Sequence, residues 1–433
     1  MSRLLALSWV LGAAVAVAQA PPDAGTVEVD PGEGYTPDED RGGTEVLRFT
    51  GYVDVGFARA TGNGSSFLAA DTRAPLDYGV DAFAPMVNSR GEVASAATGG
   101  RFTNGFLPRS VGIGATPSIL LNTVSADVRY QPHAFPVYLF ARLQLMPRLL
   151  ATGDQTRVEL QQAFGRLSPI PNAEFAISLG RFDSVFGIEY LENEANLRTG
   201  IVPSLIARYT TGQSLGVKVF YRVQLPALWS ALSFNAAATN SGTLIEALVP
   251  VDLSLVGVPV GSARLGYELN LQAVQAKLGL SAFYGPRNDQ RAPSARQLGL
   301  GVDARLNLAG LALAGEFLRF QEDRGPLVGK VTGAGEAAFA SAFEVWGGWG
   351  RVAYTLPWKS EAVNGFTLAV RYDHRKARFE GYVWVETDRL TVSGRLDLLD
   401  FLALKAEGVF NRELHGAPSI DNDVFTASAV LTW

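Results

Sequence analysis

Residues 424–433 read Val-Phe-Thr-Ala-Ser-Ala-Val-Leu-Thr-Trp. Phe425, Ala427, Ala429, Leu431 and Trp433 share one face, and Asn422, Asp423, Thr426, Ser428 and Thr432 make the other mostly polar. A period of two marks a strand whose two sides meet different surroundings. The period recurs upstream as far as residue 46. In Val46–Ala58, Leu47, Phe49, Val53, Val55 and Phe57 oppose Arg48, Thr50, Tyr52 and Asp54. In Leu120–Tyr130, Val124, Ala126, Val128 and Tyr130 oppose Thr123, Ser125, Asp127 and Arg129. In Val137–Met146, Val137, Leu139, Ala141, Leu143 and Leu145 oppose Tyr138, Phe140, Arg142 and Gln144. Twelve further segments fit: Arg157–Leu167, Glu174–Phe182, Leu215–Leu225, Trp229–Ala238, Ala263–Leu271, Ala276–Tyr284, Leu298–Leu308, Leu311–Phe320, Phe343–Thr355, Phe366–Asp373, Leu390–Asp397 and Phe401–Asn411.

These segments run to roughly 8–13 residues, about twice the usual strand of a soluble sheet and close to a tilted membrane-crossing strand. Their second face is polar and carries charge at mid-strand, as a watery interior requires. In hydrocarbon every backbone N–H and C=O must be paired within the protein, so a spanning sheet has to close on itself. The expected fold is therefore all-β: a transmembrane antiparallel up-and-down barrel of about sixteen strands, with long extracellular loops and short periplasmic turns. Long connections fall at Thr61–Ser118, Glu189–Gln213, Asn240–Ser262 and Gln321–Ala342. A soluble solenoid would need a sequence repeat, and there is none.

Composition agrees. Of 433 residues 47 % are hydrophobic and 18 % charged, and there is no cysteine. Disulfides and thiolate metal sites are excluded. A net charge of −5 supplies no basic field for nucleic acid, and three histidines argue against a histidine-rich metal centre. No cofactor is expected.

Residues 1–20 read as a cleaved secretory signal: Arg3, an apolar run from Leu4 to Val17, and Ala18-Gln19-Ala20 before Pro21-Pro22. Residues 21–45 carry Asp23, Glu28, Asp30, Glu33, Asp38, Glu39, Asp40 and Glu45 against the single base Arg41, with scattered Pro and Gly. Such a segment buries too little surface to offset its ordering entropy and reads as an acidic flexible leader. Residues 46–433 form the barrel.

The terminal strand resembles the C-terminal signature of bacterial outer-membrane barrels, which ends on an aromatic and is read by the assembly machinery. The resemblance makes Phe425, Leu431 and Trp433 the assembly signal. Gly180-Arg181-Phe182-Asp183-Ser184-Val185-Phe186-Gly187-Ile188-Glu189 is similar to the "G-(K/R/Q)-F-x-x-P-F-G-x-E" segment of the phosphate-selective porin O and P family, with Val185 at the usual Pro. Trp346 to Leu356 is similar to that family's "G-x-Y-V-x-x-x-Y-x-L" strand, and Leu368 to Asp373 to its "E-L-x-x-R-Y-D" strand. This resemblance implies a roughly sixteen-stranded diffusion channel, often a homotrimer, embedded among outer-membrane lipids. The sequence has no lysine-rich loop of the kind that captures phosphate.

Strand parity names the pore-lining candidates without any homologue. The polar faces carry Arg48, Asp54, Arg129, Arg142, Arg157, Glu159, Lys218, Arg222, Lys277, Asp303, Arg305, Arg351, Arg371, Asp373, Arg395 and Lys405, together with Asp127, Glu268, Glu316, Asp397 and Glu407. A charge facing lipid at the midplane costs about 2–4 kcal/mol, so these face inward. Bases outnumber acids on these faces, which predicts a weak anion preference. The same residues also suit a lumen plugged by cross-strand pairs, and both readings stay open.

Gly212-Gln213-Ser214-Leu215-Gly216 spells a nucleophile elbow, but that motif needs a helix after it, and Val217 to Arg222 alternates as a strand. His133, His374 and His415 have no triad or metal-site spacing. The expectation is a non-enzymatic, porin-like channel for passive diffusion of small hydrophilic solutes or ions in the outer membrane. The alternatives are a structural or adhesive barrel with a closed lumen and partner-binding loops, and a barrel enzyme acting on lipid.

Overall fold

A computed structural model of the chain describes residues 46–60, 118–240 (apart from 133–134, 151–152, 171–172, 184 and 211), 259–286 (apart from 272), 296–323, 342–380 (apart from 359), 384–414 and 423–433. The signal and leader segments, and the connection over 61–117, lie outside the described residues.

The strands are β1 (Val46–Ala60), β2 (Ser118–Gln131), β3 (Val137–Leu150), β4 (Gly153–Leu167), β5 (Glu174–Asp183), β6 (Gln213–Leu225), β7 (Ser230–Thr239) and β8 (Val260–Asn270). They continue as β9 (Val274–Pro286), β10 (Arg296–Leu308), β11 (Leu311–Glu322), β12 (Phe343–Leu356), β13 (Val363–Phe379), β14 (Val385–Leu398), β15 (Leu402–Glu413) and β16 (Val424–Thr432). Each pairs antiparallel with its sequence neighbours, and β1 pairs with β16, so the sheet is a closed barrel of sixteen strands. Closure satisfies the edges that an open sheet would leave unpaired. Each alternating segment of the sequence corresponds to one strand.

Closure is completed at Gly51. Its N–H donates to the Trp433 carbonyl, and the Trp433 N–H donates to the Gly51 carbonyl, both at 3.1 Å. A Cβ at position 51 would lie 2.5 Å from the Trp433 indole and 2.3 Å from the Ser125 carbonyl oxygen. Only glycine admits the terminal ring there.

The barrel is apolar outside and polar inside. Outward residues such as Phe49, Val158 and Leu179 are about two-thirds exposed, whereas Arg375, Arg389, Gln144 and Glu407 are among the most buried side chains. A soluble protein reverses this arrangement. Among the described residues no helix is long and apolar enough to cross a membrane.

Three details depart from the sequence reading. Trp229 does not begin a strand: it sits at φ 50° after the short turn Pro226–Leu228, and β7 starts at Ser230. β4 slips by one residue against β3 beside Leu143, so Gln161 and Gln162 are both buried and the alternation changes phase. Finally, β13 and β14 extend well beyond Phe366–Asp373 and Leu390–Asp397 toward the long-connection end. Their extra outward residues, His374, Lys376, Arg378, Glu386 and Asp388, are polar, and so escaped a search for an apolar face. At the opposite end the turns are short. Ala309-Gly310 joins β10 to β11 with φ 46° and 84°, the left-handed pair that a two-residue hairpin requires.

Candidate functional site: the lumen and its folded-in loop

The connection between β5 and β6 does not leave the barrel. Residues 185–210 cross the lumen, with short helical turns at Glu189–Glu192 and Ala207–Tyr209. They are unusually apolar for a connection: Val185, Phe186, Ile188, Tyr190, Ile201, Val202, Leu205, Ile206 and Tyr209 are all buried. Phe186, Ile188, Ile206 and Tyr209 pack with Phe283, Leu318, Phe320, Phe343, Val345 and Trp349 on the inner wall of β9, β11 and β12. The Tyr209 and Phe320 rings stack at 5.5 Å. Gly299 and Gly301 on β10 leave room for the Phe186 ring. The upper inner wall is therefore apolar where it receives the loop.

Charged groups fix the remainder. Arg351 on β12 donates to both oxygens of Glu192, at 2.6 and 2.9 Å, and Arg305 on β10 reaches the same carboxylate at 3.4 Å. Two residues further on, Glu194 accepts from Tyr52 on β1 at 2.5 Å and from Gln144 on β3 at 2.6 Å, and pairs with Arg142 on β3 at 3.1 Å. β3 and β12 stand on nearly opposite sides of the barrel, so the loop bridges the lumen.

β13 to β15 hold its backbone. Arg371 donates to the Val202 and Pro203 carbonyls, each at 2.8 Å, while bonded to Asp373 at 2.9 Å. Glu407 accepts from the Ile201 and Val202 N–H groups at 2.8 and 3.0 Å. Lys405 donates to the carbonyls of Ala195, Arg198 and Gly200, and Arg395 donates to the Arg198 carbonyl at 3.0 Å. Charge-assisted bonds of this kind satisfy loop amides that have no helix or strand partner.

Two loop carboxyls respond oppositely to this setting. Burial pushes Glu189 above the usual carboxylate range, although it accepts from the Ser204 amide at 2.7 Å and from the Ser204 hydroxyl. Burial also opposes ionisation of Glu192, but the Arg351 and Arg305 charges outweigh it and hold its pKa at about 2.

The parity candidates thus separate into groups. Arg142, Arg305, Arg351, Arg371, Asp373, Arg395 and Lys405 contact the loop. Asp54 accepts from Asn122 and Ser428, and Asp303 pairs with Arg264 at 2.7 Å. Arg222 sits between Glu174 and Glu268 at 2.9 and 2.7 Å, and Lys277 reaches Glu268 at 3.3 Å with its side chain half exposed. Arg129 lies 5.7 Å from the Phe140 ring centroid and Lys218 lies 5.2 Å from that of Phe182. Arg48 stands exposed near the short-turn end, opposite Arg129 in the ladder. The side chains of Arg157 and Glu159 lie outside the described residues. Phe425, Leu431 and Trp433 share the outer face, about half exposed.

Parity did not reveal the anchoring carboxylates Glu192 and Glu194 or the loop's inward course. A usable signal was the density of large apolar residues in a connection that lacks alternation. Ser214 is buried and followed by strand, which is incompatible with a nucleophile elbow. Among the described residues no cluster of His, Asp or Glu is arranged to hold a metal.

No protein-family model matches the sequence, and no curated protein matches it. Solved structures do match in fold. The outer membrane channel DcaP of Acinetobacter baumannii aligns with 93 % of this chain and 100 % of its own, at 10 % identity and a TM-score of 0.52. An anion-selective porin from Comamonas acidovorans aligns with 90 % and 99 %, at 9 % identity and 0.52. The trimer form of OmpT, an outer membrane protein of Vibrio cholerae, aligns with 90 % and 100 %, at 10 % identity and 0.50. The chain is similar to outer-membrane porins in fold.

Proposed function

We propose that the chain is an outer-membrane channel for passive diffusion of small hydrophilic solutes, narrowed by residues 185–210. The observation that carries this reading is the pairing of an apolar outer wall with a charged lumen crossed by a loop bonded to the walls. A barrel serving only as an anchor has no need of a lumen whose charges brace a loop at a fixed height. Solutes pass beside the loop, along the arc where Arg222 and Lys277 face inward.

The wall itself supports a weak anion preference. Arg351, Arg305 and Arg142 are matched by Glu192, Glu194 and Asp127, and Arg222 by Glu174 and Glu268. Lys218 has no ion pair among the described residues and supports excess positive potential on its arc. The fold likeness to an anion-selective porin and to a trimeric form accords with anion preference and with a homotrimer. The signal segment supports export, and the outward Phe425, Leu431 and Trp433 support recognition by the assembly machinery. Single-channel recording in planar bilayers, with reversal potentials in a salt gradient, tests this function. Absence of conductance would transfer the structure to the closed-barrel reading.

A further inference from the structure

One inward carboxyl beneath the loop has no base among the described residues. Glu316 on β11 is 4 % exposed. Its ladder partner on β10 is Asp303, a like charge placed directly opposite, and its partner on β12 is the uncharged Trp349. Asp303 is satisfied by Arg264 on β8, at 2.7 and 3.1 Å. Glu316 has no such partner.

The loop closes over this carboxyl. A Cβ at Gly187 would lie 1.9 Å from Glu316 Oε1, so the loop backbone rests directly on it. The Gly187 N–H donates to the Ser281 hydroxyl at 3.1 Å, the Ile188 N–H reaches Glu316 Oε2 at 3.4 Å, and the Glu189 N–H also points to that carboxyl. Oε1 is buried and accepts no hydrogen bond among the described residues. The Glu189 side chain is a second buried carboxyl whose charge acts on Glu316, and its own bonds go only to Ser204. The surrounding bases are committed elsewhere. Arg305 holds the Ile188 carbonyl and Glu192, Arg351 holds Glu192, and Arg371 holds Asp373 with the Val202 and Pro203 carbonyls.

Two buried carboxyls that act on each other do not both ionise readily, because each charge opposes the other and neither is solvated. We propose that Glu316 and Glu189 form a proton latch for the loop. The pair keeps a proton at neutral pH, and its loss to solvent in alkali drives residues 185–192 off the wall and widens the channel. Full ionisation would set Glu316 and Glu189 beside Asp303 and Asp373, while Arg264, Arg351 and Arg371 are already bonded to Asp303, Glu192 and Asp373. The burial that pushes Glu189 upward agrees with this reading. Widening rests on the channel reading; the latch itself does not.

The test uses the full chain in dodecyl maltoside and hydrogen exchange of peptides spanning residues 185–210, read by mass spectrometry at pH 7 and pH 9.5. Wild type is compared with E316Q and E189Q at the same pH, which cancels the base catalysis of exchange. At pH 9.5 these amides in wild type should exchange about tenfold faster than in either variant. Single-channel conductance of wild type should rise about twofold from pH 7 to pH 9.5 and stay flat in the variants. Equal exchange in wild type and variants at pH 9.5 would overturn the latch. So would wild-type exchange that, corrected for intrinsic rates, does not change between the two pH values, a result that needs neither variant to fold. Exchange that responds while conductance stays flat would overturn the widening. A wild type that passes the exchange test and never conducts would refute the channel reading and leave the latch in place.

Discussion

Arg351 grips Glu192 through two guanidinium nitrogens, joining the wall at β12 to a loop residue 159 positions earlier in the chain. The pair is largely buried, so neither group exchanges its partner for water without cost. Removing one member of a buried ion pair costs about 3–5 kcal/mol, mostly from the charge left behind. That energy is spent on loop position, because the barrel ladder does not depend on it. Glu192→Gln and Arg351→Met should each leave a folded, heat-modifiable barrel with larger and noisier single-channel conductance. Wild-type conductance and noise in both variants would show that the pair does not position the constriction.

Acid should release this contact late. With its pKa depressed to about 2, Glu192 contributes stability that is complete above the ordinary carboxylate value and is lost as pH falls from there toward 2. Glu189, shifted upward, has the opposite sign: its contribution is complete below the ordinary value and declines as pH rises through its folded pKa. Conductance recorded between pH 7 and 2 should therefore show loop release below about pH 4, near the lower end of the range. Release complete by pH 5 would contradict the assigned role of Glu192.

Selectivity should follow Lys218. Lys218→Glu should move the reversal potential toward cations, whereas deletion of residues 21–45 should change it little, since exposed charges are screened beyond roughly 8 Å at physiological salt. A cation-selective wild type, or a shift that follows the leader and not Lys218, would refute the wall-based preference.

Trp433 and Gly51 should be inseparable in assembly. Gly51→Leu would drive a side chain into the indole and into the Ser125 carbonyl oxygen, and Trp433→Asp would replace the indole with a charge on the outer face. Both variants should accumulate unfolded in the periplasm, the first by collision and the second by loss of the terminal aromatic. Normal heat-modifiable migration of Gly51→Leu would mean that the seam tolerates displacement of the ring.

Export predicts a mature chain that begins at Pro21. N-terminal sequencing of the outer-membrane fraction should find Pro21-Pro22-Asp23; an intact Met1 in the cytoplasmic-membrane fraction would overturn the cleavage assignment.

The strand number, the closed barrel and the facing of residues such as Phe425, Arg222 and Lys405 were legible in the sequence by itself. A period of two records, residue by residue, whether a position meets lipid or lumen, and that information is local. It weakened where the outer face ceased to be apolar, which is why β13 extends past Asp373 and β14 begins before Leu390, with Lys376, Arg378 and Glu386 unrecognised. The path of residues 185–210 was decided only by the tertiary structure. Ile201 meets Glu407 across 206 positions, and Glu192 meets Arg351 across 159. A connection without period leaves no local record of such partners. The same inward arginine can line a pore or hold a loop, and which it does depends on what the closed barrel brings within reach of its guanidinium group.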